Sequence, residues 1–350
     1  MSLELTKLES PRVAGYEEVW LASDPDVSYR GFLAIHNTQR GPALGGTRLM
    51  SYADDDAALT DVLRLARGMT YKCAAANVPL GGGKSVILQP ANGYDRAALL
   101  RAHGRAVESL KGRYVTSVDI GTGPEDMVFI RETTTHVTGL PNEMNDPSPV
   151  TARGVVRAIE AVRFVTTSSR GLQGVRVAVQ GCGHVGKSLA IQLYALGARL
   201  IVADVSRDRA AGVAAQCDAE VMPPDDVYEA QADIYAPCAT GATLNPRTIP
   251  RLRVSAVAGA ANNQLETNRD GDALRARGIT YVPDFIANAG GAIYLCRVLA
   301  GWSDAQTDAA VESIFDSSVE VLRRAEREGI AAQDAAERVV EARLGIAQGS

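Results

Sequence analysis

The chain has 350 residues, room for about two domains, is 46% apolar and 22% charged, and carries a net charge of -5. That balance suits a water-facing globular protein and argues against nucleic acid as the main partner, because a phosphate-reading surface brings a basic excess. No apolar run approaches the roughly 20 residues needed to span a bilayer, and the N-terminus, with Glu4 and Glu9, lacks an apolar signal core, so a cytoplasmic protein is expected. The five cysteines (73, 182, 217, 238 and 296) are scattered and never in CxxC spacing, and no two of the four histidines stand at ligand spacing. Reduced thiols are expected, without a disulfide framework or a metal.

In chain order, Tyr16 to Ala22 and Ser28 to His36 read as strands joined by the turn-forming Ser-Asp-Pro-Asp. Gly41 to Arg48 (GPALGGTR) reads as a glycine-rich corner. From Asp54 to Met69, the residues Leu59, Val62, Ala66 and Met69 recur at three- and four-residue steps, which predicts an amphipathic helix capped near Ser51 or Asp54 and leading to Lys72. Then comes MTYKCAAANVPLGGGKSVIL (69–88), with Lys72 and Lys84 on either side of a Pro-Leu-triple-glycine turn. Three glycines together imply either a backbone conformation other residues resist or close approach of backbone to something else. Surface lysine is the default, but a lysine between that turn and the apolar run Ser85–Leu88 is held where the glycines make room. Gly83-Lys84-Ser85 ends like a phosphate-binding P-loop, yet that motif needs a glycine where Val78 stands, so the P-loop reading fails. Arg113 to Val118 reads as a strand ending on Asp119.

The polar stretch Asn142 to Pro149 (NEMNDPSP) is expected to be a hinge or domain boundary, with a helix following over Ala152 to Phe164. Short apolar runs then recur at Val175–Gln180, Leu200–Ala203, Ile234–Ala236, Ala256–Gly259 and Thr280–Val282, most of them separated by helix-like or turn-rich segments. That alternation predicts a doubly wound parallel sheet. Val311, Ile314, Phe315, Leu322 and Ala325 stand at helical spacing, and a final helix is expected from about Ala332 to Leu344.

Gly181, Gly183 and Gly186 form a GxGxxG placed directly after a strand and opening a helix, and Asp204 lies 18 residues further on at the end of the next strand. Such glycines permit a tight turn and close contact with a pyrophosphate seated on the helix's positive end. A carboxylate at Asp204 can accept the ribose hydroxyls and repels a 2′-phosphate, which favours NAD over NADP; Arg207 and Arg209 work against that preference. His184 reads as a loop residue with no catalytic part. Lys72, Lys84 and Asp119 suit an anionic substrate with a proton to move: one ammonium holds a carboxylate, the other acts as a base once desolvated, and the carboxylate shuttles a proton to or from an amine.

The stretches GPALGGTR (41–48), GMTYKCAAANVPLGGGKSVI (68–87), TSVDIGT (116–122), DPSPVTARGV (146–155), APCATGA (236–242), GAANNQL (259–265) and VPDFIANAGG (282–291) strongly resemble the glutamate/leucine/phenylalanine/valine dehydrogenases, in that family's order. The resemblance implies an α/β chain of two domains with a cleft between them. A substrate and oligomerisation domain would comprise 1–140 joined by the C-terminal 334–350, and a Rossmann NAD-binding domain 141–333. It implies reversible NAD-dependent oxidative deamination of an L-amino acid to its 2-oxo acid and ammonia, by a homo-oligomer. Lys72 would bind the substrate carboxylate, Lys84 would activate the water that attacks the imine carbon, and Asp119 would carry protons at the amino nitrogen. The backbone around Gly45 would line the same pocket. Gly181, Cys182, Gly183, His184, Val185, Gly186 and Asp204 would hold the dinucleotide, and Thr151, Cys238, Ala239 and Asn262 would contact the nicotinamide and its ribose.

Leu44 stands where glutamate-specific members carry a lysine, so an unpaired side-chain carboxylate is disfavoured there and an apolar substrate is expected. Leu44 resembles the leucine and valine enzymes, whereas Ala292 and Leu295 in GGAIYLC look more like phenylalanine enzymes, and Tyr294 departs from both patterns. Leucine, valine and isoleucine therefore lead, with aromatic substrates second. A non-catalytic NAD-sensing regulator would be expected to have lost Lys72, Lys84 or Asp119, and all three remain. A hydroxy-acid dehydrogenase would commonly use a histidine, and none sits in a comparable motif.

Overall fold

The apolar runs of the N-terminal part become strands of one mixed sheet in the computed structural model, which describes residues 3–141 and 146–345. Its strands are β1 (Glu4–Lys7), β2 (Glu18–Asp24), β3 (Tyr29–Asn37), β4 (Ala43–Met50), β5 (Gly81–Leu88) and β6 (Tyr114–Val118), and its helices α1 (Asp55–Ala75), α2 (Arg96–Glu108) and α3 (Pro124–Arg131). The spatial order is β1-β2-β3-β5-β4-β6, with β4 parallel to β5 and β6 and the remaining pairs antiparallel. Along β3, Phe32 and Ala34 join a core with Val62 and Ala66 of α1, while Leu33 and Ile35 join a second core with Leu99 and Leu100 of α2 and Ile130 of α3. A strand buried on both faces is written as a continuous apolar run. Helix α1 starts where Asp54 accepts the Ala57 N–H at 2.8 Å, and Asp55 and Asp56 add negative charge to its first turn, where the helix dipole favours it.

Two expectations are corrected here. From Ala43 on, GPALGGTR is strand β4, with only Gly41 and Pro42 left in the bend before it, and the triple glycine opens strand β5 rather than forming a turn. Neither of the two strands needs glycine for its dihedral angles, because none of Gly45, Gly46, Gly81, Gly82 and Gly83 has a positive φ. Close approach alone accounts for them: a Cβ on Gly82 would lie 2.0 Å from the Thr70 nitrogen of α1, and one on Gly45 would lie 1.8 Å from the Gly83 oxygen. Lys72 is correspondingly not past the helix but within the last turn of α1, which runs on to Ala75.

The second unit contains α4 (Ser148–Thr167), β7 (Arg176–Gln180), α5 (His184–Ala195), β8 (Arg199–Ala203), α6 (Arg207–Cys217), β9 (Glu220–Val221), β10 (Ile234–Pro237), β11 (Ala256–Val257), α7 (Arg269–Ala276), β12 (Thr280–Tyr281), α8 (Asp284–Ala287), α9 (Gly290–Leu299), α10 (Asp304–Glu328) and α11 (Ala332–Arg343). Its six strands are all parallel in the order β12-β11-β10-β7-β8-β9. Numbered from β7 that is 3-2-1-4-5-6 read from β9, the Rossmann order, with the switch point between β7 and β10. The chain divides into two units, the described residues up to 141 with Val298–Gly301, and the described residues of 146–297 with 302–345.

The C-terminal segment 334–350, expected with the first unit, lies with the second as far as it is described. Gly329, in the left-handed region at φ 65, ends α10 and turns the chain back. Helix α11 then packs on α10, α7 and β12, burying Ala335, Ala336, Val339 and Val340, with Arg338 paired to Glu328 at 2.8 Å. Of the expected hinge, Asn142 to Asn145 lie outside the described residues, and Ser148-Pro149 already open α4.

Two glycines in the first unit separate packing from propensity. Gly45→Ala drives a methyl group into the β5 backbone, and we expect loss of soluble folded protein. Gly68→Ala, at an exposed α1 position where a Cβ meets nothing within 4 Å, is expected to stabilise by about 1 kcal/mol. Thermal melts followed by circular dichroism check both.

Candidate functional site

In the first unit, residues of one parity on β4 and β5 face α1. Gly82 abuts Thr70, and Arg48 reaches Asp61 of α1, so alternation puts Leu44 and Lys84 on the same face. Lys84 Nζ donates to Asp119 Oδ2 at 2.8 Å, and Arg48 Nε donates to that same oxygen at 3.0 Å. The other arm of Arg48 reaches Asp61 Oδ2 at 2.8 Å, which also accepts the Tyr52 hydroxyl at 2.9 Å. The Lys84 side chain is 7% exposed. Burial, helped by the positive charge of Arg48, pulls the Lys84 ammonium below its ordinary pKa despite the opposing pull of Asp119. For Asp119, burial alone would raise the carboxyl, but the charge and hydrogen bond of Lys84, with Arg48, outweigh it and hold the group below the usual carboxylate range. The state both directions describe is an ionised Asp119 beside a lysine that releases its proton early.

The opposite face of the same strands is locked by hydroxyls. Thr47 Oγ1 lies 2.9 Å from Ser85 Oγ, 2.9 Å from His103 Nε2 and 2.6 Å from Thr116 Oγ1, while the Tyr114 hydroxyl donates to the Gly45 carbonyl at 2.7 Å. His103 accepts or donates to Tyr29 at 2.9 Å on its other nitrogen, and burial pushes it down to about 3, so it stays neutral. Two of these side chains, Thr47 and Ser85, are adjacent in sequence to Arg48 and Lys84. The Asp119 N–H donates to Thr122 Oγ1 at 3.0 Å, whose hydroxyl donates to the Thr47 carbonyl at 2.8 Å. A Cβ on Gly46 would lie 2.9 Å from Asp119 Cβ, so the absent side chain is what lets Asp119 close on the strand. Lys72 is half-buried and Leu44 fully buried. Arg48 and Asp61, which sequence reasoning passed over, complete the cluster. Their only sequence signal is a lone arginine ending GPALGGTR and a carboxylate beside the apolar stripe of α1.

In the second unit the three glycines of the fingerprint do different things. Gly181 turns the chain at φ +98, and a Cβ there would lie 2.8 Å from the Ala239 nitrogen, with Cys238 alongside. Gly186 lets α5 settle on the strand, since a Cβ would lie 1.9 Å from the Gly181 oxygen; Gly183 has open space where its Cβ would be. The N–H groups of the first turn of α5, at His184 and Val185, have no helical acceptor, and helix dipole and open space together make a phosphate seat. The imidazole of His184 is exposed, 3.8 Å from Asp146. Asp204 accepts the N–H groups of Cys182 and Ser206, each at 2.7 Å, and the Arg209 guanidinium at 2.9 Å. Burial would raise its carboxyl, but these donors hold it below the usual range. A groove of about 440 Å³ runs between α5 and α6 beside Gly183 and Arg209.

Burial pushes the thiols of Cys182 up to about 11 and Cys238 up to about 12, so both are neutral. Thr151 Oγ1 donates to the Pro147 carbonyl at 3.1 Å and flanks Gly291. Asn262 Oδ1 accepts from Asn288 Nδ2 at 2.9 Å. Asn288 was not singled out from sequence, and its buried Oδ1 has no partner among the described residues. Ala292 and Tyr294 are buried and Leu295 half-buried on α9. Open space at Gly183, the carboxylate of Asp204 and the waiting acceptor of Asn288 fit a dinucleotide. Among the described residues no group of three or more His, Cys, Asp or Glu could hold a metal ion, and no helix is long and apolar enough to cross a membrane.

Two family models match the chain: Glu/Leu/Phe/Val dehydrogenase, dimerisation domain, over residues 19–136, and Glutamate/Leucine/Phenylalanine/Valine dehydrogenase over residues 202–344. A leucine dehydrogenase of Bacillus cereus is 42% identical over 94% of this chain and 91% of its own length. A phenylalanine dehydrogenase of Caldalkalibacillus thermarum is 40% identical over 95% of this chain and 92% of its own. The crystal structure of L-tryptophan dehydrogenase from Nostoc punctiforme matches with a TM-score of 0.87 at 40% identity, covering 95% of this chain and 97% of that one. With a parallel sheet in Rossmann order, a fingerprint shaped for a dinucleotide and a buried lysine–aspartate pair already in view, the chain belongs to the glutamate/leucine/phenylalanine/valine dehydrogenase family: it is an oxidoreductase of amino acids that uses a nicotinamide cofactor.

Proposed function

We propose that the protein catalyses the reversible NAD-dependent oxidative deamination of an apolar L-amino acid, with leucine, valine and isoleucine favoured, to the 2-oxo acid and ammonia. The observation that carries this reading is the 2.8 Å contact between the buried Lys84 ammonium and Asp119. When bound, the nicotinamide supplies a hydride acceptor for the substrate α carbon. Lys72 holds the substrate carboxylate. Lys84, brought down by burial, takes the proton from the water that attacks the imine carbon and returns one later in the cycle. Asp119, kept ionised by Lys84 and Arg48, carries protons at the amino nitrogen. The Gly45 backbone lines the substrate pocket, and Leu44, 1% exposed, leaves a side-chain carboxylate unpaired at a cost of several kcal/mol, roughly, which disfavours glutamate.

Gly181, Cys182, Gly183, His184, Val185 and Gly186 hold the dinucleotide pyrophosphate, and Asp204 the adenosine ribose. Thr151, Cys238, Ala239 and Asn262 hold the nicotinamide end, with Asn288 supporting Asn262 from its buried position. Asp204 favours NAD because its charge repels a 2′-phosphate, although Arg209 offsets part of that charge. An aromatic substrate is the second reading, favoured by the small, buried Ala292 and half-buried Leu295 and by the similar identity of this chain to phenylalanine and tryptophan dehydrogenases. Assembly as a homo-oligomer is supported by the family description of residues 19–136 as a dimerisation domain.

Three outcomes are expected. Lys84→Ala lowers kcat at least about 1,000-fold while NAD still binds by calorimetry; substantial residual turnover rejects the role of Lys84. Asp204→Ala weakens NAD far more than NADP in the same titration, and equal losses reject the ribose contact. In a panel of L-amino acids followed by NADH absorbance, the branched aliphatics lead; a lead for phenylalanine or tryptophan hands the specificity to Ala292 and Leu295 and overturns the first choice.

A further inference from the structure

The charges around Lys84 extend beyond its partner. Asp119 follows β6, Arg48 comes from β4, and Asp61 and Arg64 come from α1, whose last turn also carries Lys72. Tyr52, between β4 and α1, closes the set through its hydrogen bond to Asp61. A chain of contacts of 2.8 to 3.0 Å, Lys84 to Asp119 to Arg48 to Asp61, links two cations and two anions. The Arg48 and Asp61 side chains are only 13% and 15% exposed, so solvent screens this quartet weakly. Arg48 and Lys84 share a single oxygen of Asp119, so Arg48, beside Lys84 and the Ile120 N–H, helps fix where that carboxylate sits.

We propose that Arg48 and Asp61 are positioning residues for the reaction, the arginine holding Asp119 against Lys84 and the aspartate holding the arginine, and that the charge balance of the four groups sets the pH at which Lys84 works as a base. This rests on the reading of Lys84 as the base. The physics is pairwise. Without the Arg48 charge, the Lys84 ammonium faces two carboxylates and keeps its proton to higher pH. Without the Asp61 charge, it faces one carboxylate and a guanidinium and gives its proton up at lower pH. Consistent with that geometry, Arg48 lowers and Asp61 raises the affinity of Lys84 for its proton, both beneath the larger effects of burial and Asp119.

The test compares Arg48→Gln, Asp61→Asn and Arg48→Lys with the parent enzyme. The acid limb of the kcat/KM profile for deamination is expected to move up by about one pH unit in Arg48→Gln and down by a comparable amount in Asp61→Asn. Arg48→Lys, which keeps the charge and loses the fork, is expected to restore the limb while kcat stays reduced. Loss of activity with unmoved limbs, or movement of both limbs in the same direction, overturns the inference and leaves Arg48 and Asp61 as packing residues. A parallel readout is the pH dependence of Lys84 acetylation by acetic anhydride, followed by mass spectrometry on the folded, ligand-free protein. It requires no turnover, so opposite shifts there support the charge balance even if Lys84→Ala shows that the lysine is not the base, and identical titrations in all variants reject it.

Discussion

The first unit depends on how closely backbone can approach backbone where β4, β5 and α1 meet. Gly45 against the Gly83 carbonyl and Gly82 against the Thr70 nitrogen leave no room for a side chain. That proximity puts Lys84 and Arg48 under a helix instead of in solvent. Burial destabilises a lysine so placed as an ammonium, and the ion pair with Asp119, with a smaller contribution from Asp61, makes its charge tolerable. Packing and reactivity are the same fact in this part of the molecule.

Support on the other side of the sheet is neutral and fully bonded. Thr47, Ser85, Thr116, Tyr114 and His103 exchange hydrogen bonds within an otherwise apolar core. A buried polar network of this kind holds a strand register firmly because any slip leaves a donor or acceptor unsatisfied. Two of its members sit beside a residue of the charged cluster, Thr47 next to Arg48 and Ser85 next to Lys84, so on β4 and β5 the register of the hydroxyls is also the register of the charges. A histidine kept neutral by burial serves here because it bonds through both ring nitrogens without adding charge.

The second unit solves a different problem with the same residue. Gly181 supplies the positive φ, Gly186 the helix-to-strand contact, and Gly183 the open face, an arrangement in which a helix dipole and the N–H groups of its first turn can accept an anion without any cation. Asp204 is held ionised by backbone donors and by Arg209, which makes it at once an acceptor for hydroxyls and a group whose charge is partly answered.

What could be read from the residues alone was whatever is local. The strand, GxGxxG and helix at 176–195 are contiguous, as are the periodic stripes of α1 and α10 and the cap at Asp54, and their physics is complete within a few turns of chain. The buried strands were harder, because β4 and β5 are buried on both faces yet carry Thr47, Arg48, Lys84 and Ser85 among their glycines, a composition that reads equally as a corner. The sequence by itself determined the class of fold, the strand–GxGxxG–helix unit and the identity of Lys84 and Asp119 as residues worth placing. Only the tertiary structure decided that Gly81–Gly83 lie in a strand, that α11 folds back onto α10, and that Arg48 and Asp61 stand beside the lysine. The reason is physical: a turn or a cap is an interaction between near neighbours, whereas a shared carboxylate 71 residues from its arginine exists only once separate strands and a helix have been brought together.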